Sequence, residues 1–175
     1  MESTYYFIIV GVLLFEYALS TISSTLNMNS ITEDIPDGFQ DYYDKDKYAK
    51  SQSYLKDKTR FGLFTGTFSL CITLVIIHAG LFGLLDDFVR AHSNHYITSG
   101  LLFFGTLFIL NDIINLPFSI YGTFVIEGKY GFNKTTWRTF VSDKLKGYGL
   151  TIVLGSVVMV PLLYFFEAYG SNGWW

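Results

Sequence analysis

The sequence holds little sulfur and little charge. Its one cysteine, Cys71, excludes a disulfide scaffold and any multi-cysteine zinc module. Charged residues make up 15% of the chain, where about 25% is usual for a soluble domain. So little charge beside 50% hydrophobic residues excludes intrinsic disorder. A net charge of −3 attracts no phosphate backbone, so no nucleic-acid partner is expected. What the chain has in excess is aromatic: 17 Phe and 13 Tyr in 175 residues are too many for one soluble core.

Basic residues are also absent from particular places. None of the 12 Lys and Arg falls before Lys45, between Phe61 and Val89, between Ala91 and Gly128, or after Lys146. Stretches of that length meet the roughly 20-residue requirement for crossing a bilayer. The pattern predicts an all-α integral membrane protein with four transmembrane helices, at about 4–25, 61–83, 99–121 and 148–169, since four spans are too few to close a barrel. Aromatic side chains stand near the span ends as interfacial anchors, among them Tyr5, Tyr6, Phe61, Tyr96, Tyr121, Tyr148 and Tyr169. The first span is preceded by Glu2 and no basic residue, and it outruns a signal h-region; it is expected to be an uncleaved anchor.

Six basic residues lie between Asn27 and Arg60, and five between Thr123 and Gly147. Only Arg90 lies on the connection between the second and third spans. The two basic segments must share a side, and the positive-inside rule makes that side cytoplasmic. The N-terminus and the connection carrying Asp86, Asp87, His92 and His95 then face outward.

Both cytoplasmic loops read as structured. Asn27–Gly38 is an irregular acidic turn region, whereas Phe39–Arg60 contains neither Pro nor Gly and alternates charge. Pairs such as Asp44 with Lys47 suit a helix that continues into the second span. It is either a solvated helix or a contact surface for a cytosolic domain or substrate. In the second loop, Pro117 is expected to close the preceding span. Gly128-Lys-Tyr-Gly131 breaks helix, and Thr135 or Thr136 caps a new helix from Trp137 to about Lys146. The sequon at Asn133 is expected to be unused on a cytoplasmic face.

Glu16 and Asp112 sit inside spans, where a carboxylate is costly. Glu16 comes roughly 17 Å after Tyr5 and Asp112 roughly 20 Å after Ser99 at 1.5 Å per residue, so the two lie at similar depth. Asn111 and Asn115 give the third span a polar face. These groups either line a water-filled cavity or join helices by buried hydrogen bonds. His92 and His95 form at most a weak metal site, and His78 suits the membrane interface. Gly62-x-x-x-Gly66 is compatible with close helix approach, and Pro161 with a kink in the fourth span.

The second loop also carries a family signature. Phe124-Val-Ile-Glu127, Tyr130-Gly-Phe-Asn-Lys-Thr135 and Asp143-Lys-Leu-Lys146 closely resemble the CAAX prenyl endopeptidases, integral membrane zinc metalloproteases of the membrane-embedded zincin type. Leu116-Pro117-Phe118, Tyr121, Tyr48-Ala-Lys-Ser-Gln-Ser-Tyr54 and Lys58 to Phe61 match as well, so the resemblance runs from the first span to Trp175. It implies a lipid-bilayer enzyme with a hydrated chamber, acting on prenylated peptide substrates whose lipidated Cys lies near the C-terminus. By that resemblance Glu16, Asp112 and Asn115 face the chamber, and Glu127, Asn133 and Lys134 support or gate the site.

The resembled family binds zinc through H-E-x-x-H on a later helix. Here His78, His92 and His95 are the whole complement of histidines, none is followed by Glu, and no pair is four apart. The chain is therefore expected to be the N-terminal membrane domain of such an enzyme, inactive alone, with no zinc of its own and the C-terminal catalytic domain missing. The host membrane would be the endoplasmic reticulum in a eukaryote and the plasma membrane in a bacterium. Other readings are a small transporter or channel subunit using Glu16 and Asp112, and a non-catalytic membrane adaptor.

Overall fold

The structure, a computed structural model, describes residues 2–170; Trp174 and Trp175 lie outside it. Every regular element among the described residues is helical: α1 (Glu2–Asn29), α2 (Lys45–His78), α3 (Leu81–His92), α4 (Tyr96–Ile120) running on as a π-helical segment (Tyr121–Glu127), and α5 (Trp137–Tyr169). Four stretches of helix are long and apolar enough to cross a membrane: Thr4–Asn29, Lys45–His78, Tyr96–Glu127 and Trp137–Tyr169.

Their apolar side chains are almost wholly uncovered by protein. The buried hydrophobic residues among those described are Val89, Ile126, Tyr130 and Leu163. Residues such as Phe7, Phe15, Val75, Ile152 and Val157 are more than half exposed along the helices. In water that surface would aggregate; in lipid it meets acyl chains, and helices need only pack locally. At 1.5 Å per residue, the 34 residues of α2 measure about 51 Å against a hydrocarbon core of about 30 Å, so its charged first turns project beyond the lipid.

The chain forms two compact units, Met1–Ala79 with Phe118–Asn133 and Gly80–Pro117 with Lys134–Trp175. In the first, α1 and α2 run antiparallel. Tyr6 Oη meets His78 Nδ1 at 3.3 Å and Tyr17 Oη meets Thr67 Oγ1 at 2.7 Å, so a step along α1 is matched by an equal step back along α2. The last turn of α4 and the π segment lie antiparallel on α2 through a cluster of rings: Phe61 with Tyr121 at 5.0 Å, and Phe118 with Phe64 at 6.1 Å and Phe68 at 4.9 Å. The first basic segment and the start of the second therefore meet at one end of this unit. In the second unit α4 and α5 are antiparallel and close. A Cβ on Gly100 would stand 2.7 Å from Leu163 Cδ1, which is the small-residue packing of membrane helices.

Several boundaries differ from the sequence expectation. The helix before the second span starts at Lys45, not Phe39, because the Asp44 carboxylate accepts from the amides of Asp46 and Lys47, both at 3.0 Å. The second span ends at His78, not Gly83, because Gly80 takes φ +66° and turns the chain into α3. Pro117 does not close the third span. The helix continues through it into a segment with i→i+5 bonding, since proline is tolerated inside membrane helices. The helix capped by Thr136 and the fourth span are one element, running without interruption through Gly147, Gly149 and Pro161. A methyl group added at Gly62 or Gly66 would meet nothing within 4 Å, so that pair mediates no close helix approach among the described residues.

Candidate functional site

The π segment carries the first part of the signature, Phe124 to Glu127, and the chain turns just after it. Phe132 N–H donates to Glu127 O at 2.9 Å and Gly131 N–H to Gly128 O at 3.0 Å, with Gly131 at φ +70°. This is a Schellman closure, with glycine in the left-handed position that side chains disfavour. The closure turns Phe132 and Asn133 back toward the helix end, and Asn133 N–H also reaches Glu127 O at 3.3 Å.

Asp57 of α2 locks this turn in place. Its Oδ2 accepts from Lys129 Nζ at 2.6 Å and from Tyr130 Oη at 2.7 Å. The buried Tyr130 ring packs edge-on to Tyr54 at 5.5 Å, and Tyr54 also meets Phe132 at 4.8 Å. Lys58 Nζ donates to Tyr54 Oη at 3.1 Å, and Lys50 Nζ stands 6.0 Å from the centre of the Phe132 ring. The hydrogen bond to the Asp57 carboxylate raises the Lys129 ammonium above its ordinary value and holds the Tyr130 phenol protonated beyond its own. Beside this lock lies a cavity of about 310 Å³, with Phe61, Gly122 and Ile126 forming apolar wall and Lys58 and Glu127 placing opposite charges along it.

The second unit repeats the theme between spans. Asp112 of α4 accepts from Lys144 Nζ on Oδ1 and from Tyr148 Oη on Oδ2, both from α5. Phe108 packs edge-on to Tyr148 at 6.2 Å, one turn from the carboxylate. An acid inside a span is tolerated when a cation and a donor neutralise it, and here both lie on one face of the facing helix, four residues apart.

The expected site residues divide accordingly. Glu127 lines the cavity, and Asn133 joins the helix closure. Lys134 is exposed and falls in the second unit. Asn115 is half-buried and donates to Asn111 O at 2.8 Å and Asn111 Oδ1 at 3.1 Å. Glu16 is exposed on α1. Sequence reasoning missed Asp57, Lys129, Lys144 and Tyr148 as partners. A costly intramembrane acid demands a cation, which was the available signal for Lys144; the separation of 72 positions from Asp57 to Lys129 leaves no local pattern. Among the described residues no group of three His, Cys, Asp or Glu is placed to hold a metal ion. His78 is occupied with Tyr6, and His92 Nδ1 with Phe88 O at 2.8 Å. This donor set does not fit a zinc site.

Comparison with known proteins gives a consistent picture. A family model described as CAAX prenyl protease N-terminal, five membrane helices, matches residues 24–175. The probable CAAX prenyl protease 1 of Schizosaccharomyces pombe is 37% identical over 145 residues, covering 75% of this chain and 31% of that protein. CAAX prenyl protease 1 of Saccharomyces cerevisiae is 30% identical over 151 residues, covering 81% and 33%. The chain thus spans about a third of the length of these curated relatives. The crystal structure of S. mikatae Ste24p superposes with a TM-score of 0.85 at 25% identity, covering 95% of this chain and 40% of that one.

Proposed function

The chain belongs to the CAAX prenyl protease family, matched over its N-terminal membrane region, and on that premise we propose how it serves such an enzyme. It forms chamber wall and basic cytoplasmic loops for a zinc metalloendopeptidase that cleaves prenylated CAAX C-termini. The observation that carries this reading is the superposition of nearly the whole chain on Ste24p. Glu16, Asp112 and Asn115 face the chamber, with Asp112 also joining α4 to α5 through Lys144 and Tyr148. Glu127, Asn133 and Lys134 support or gate the reacting peptide; the cavity beside Glu127, with its apolar wall and paired charges, suits a segment that is part lipid and part peptide.

Zinc would be held by an H-E-x-x-H helix of the catalytic domain, which this sequence does not contain. There it would polarise the scissile carbonyl and activate water. The basic segments would lie in the cytoplasm and the N-terminus outside, in the endoplasmic reticulum of a eukaryote or the plasma membrane of a bacterium.

Two measurements test the reading. In the chain joined to a catalytic domain, Glu127→Ala should lower the rate of CAAX cleavage and leave bound zinc unchanged; loss of zinc would contradict a supporting role. Single cysteines from Glu16→Cys and Asn115→Cys, in a Cys71→Ser background, should react with a membrane-impermeant thiol reagent in the assembled protein. Resistance to the reagent would remove these residues from the chamber.

A further inference from the structure

The connection between the second and third spans is not a loop but α3, and its faces are sharply divided. At about 100° per residue, Leu81, Leu84 and Phe88 form one stripe, Leu85 and Val89 its flank, and Asp86, Asp87 and Arg90 the opposite side. The flank is covered: Val89 is 3% exposed, and the link after α3 is held by Ser99 Oγ donating to Ser93 O at 2.9 Å. On the polar side Arg90 Nε pairs with Asp86 Oδ2 at 2.7 Å. Among the described residues the apolar stripe has little cover: Leu84 is 62% and Phe88 63% exposed, with the His92 ring 4.5 Å from that of Phe88.

Connectivity identifies what covers it. Only Ala79 and Gly80 separate α3 from the end of one span, and only residues 93–95 separate it from the start of the next. Its 12 residues measure about 18 Å, too short to cross the hydrocarbon core of about 30 Å, and they carry three charges. Both ends are thus tied to one surface of the bilayer. We propose that α3 is an interfacial helix lying in the plane of the membrane, with Leu81, Leu84 and Phe88 in the boundary between phospholipid headgroups and acyl chains and Asp87 and Arg90 in water. The helix carries two acids and one base before its terminal histidine, so it has no attraction for anionic lipid; its hold is apolar.

The test uses the intact chain, Cys71→Ser, in phosphatidylcholine vesicles, with a fluorophore on Leu84→Cys, Phe88→Cys or Asp87→Cys. Labels at 84 and 88 should be quenched several-fold more by a nitroxide at the top of the acyl chain than by aqueous iodide, and the label at 87 the reverse. Adding anionic lipid should change neither. Iodide reaching all three would place α3 in water, and neither quencher reaching 84 and 88 would mean that protein covers the stripe, whether a second copy or another domain. Stronger quenching by a nitroxide at the acyl terminus would mean deep insertion. Each of these overturns the proposal.

Discussion

Each unit is held by one aspartate that takes a lysine and a tyrosine, yet the two anchors are built differently. Asp57 collects both donors on one oxygen, from neighbours in a tight turn, with the Lys129 side chain 62% exposed. Asp112 takes one donor on each oxygen, from residues one helical turn apart, with its Lys144 side chain 27% exposed. Surface ion pairs gain little because water already solvates the charges. The Asp112 pair is the more covered of the two, so losing one partner leaves the other less well solvated. The Asp57 anchor shapes a turn; the Asp112 anchor joins two spans.

The comparison can be broken most sharply at Asp112. Asp112→Ala should cost about 3 kcal/mol by leaving Lys144 unpaired, read as a lowered unfolding midpoint in detergent micelles. The double change Asp112→Leu with Lys144→Leu should recover most of it, because an apolar pair needs no partner there. Equal losses for Asp112→Ala and Asp57→Ala would erase the distinction.

A smaller effect isolates the turn that Asp57 holds. Gly131→Ala should cost about 1 kcal/mol, since alanine must then adopt φ near +70°. Gly128→Ala, at φ −61° with open space around it, should be close to neutral in the same scan.

The smallest effect is alkaline. Lys129 and Tyr130 both have raised values in the folded state. Their contribution is complete below the unfolded values and is lost as pH rises through the folded ones. The Phe132 environment should therefore loosen at strongly alkaline pH, followed by the exchange or ring-current shifts of that residue, and Asp57→Asn should abolish the step.

Much of the fold is legible in the placement of Lys and Arg, because charge is costly in lipid wherever it falls. The four spans follow from that alone, and Thr136 is legible as a cap because its hydroxyl meets the Thr139 amide at 3.2 Å, the ordinary capping geometry. Pro117 misleads because a proline that commonly ends a helix in water is tolerated inside a membrane span, where the helix runs on through it into the π segment. The true stop, Gly131, lies in the glycine pair that reads as a helix breaker. Lys144 looks like loop charge as long as the capped helix and the fourth span are separate elements. Once they are one helix, Lys144 and Tyr148 share a face, and Asp112 has its partners.

The most direct test of the central claim joins residues 1–175 to the remaining two-thirds of the Saccharomyces cerevisiae relative and assays cleavage of a prenylated CAAX peptide. A membrane domain of this family should give a chimera that inserts, binds zinc and cleaves, with cleavage reduced by Asp112→Ala. A chimera that inserts and binds zinc yet leaves the peptide intact would contradict the account.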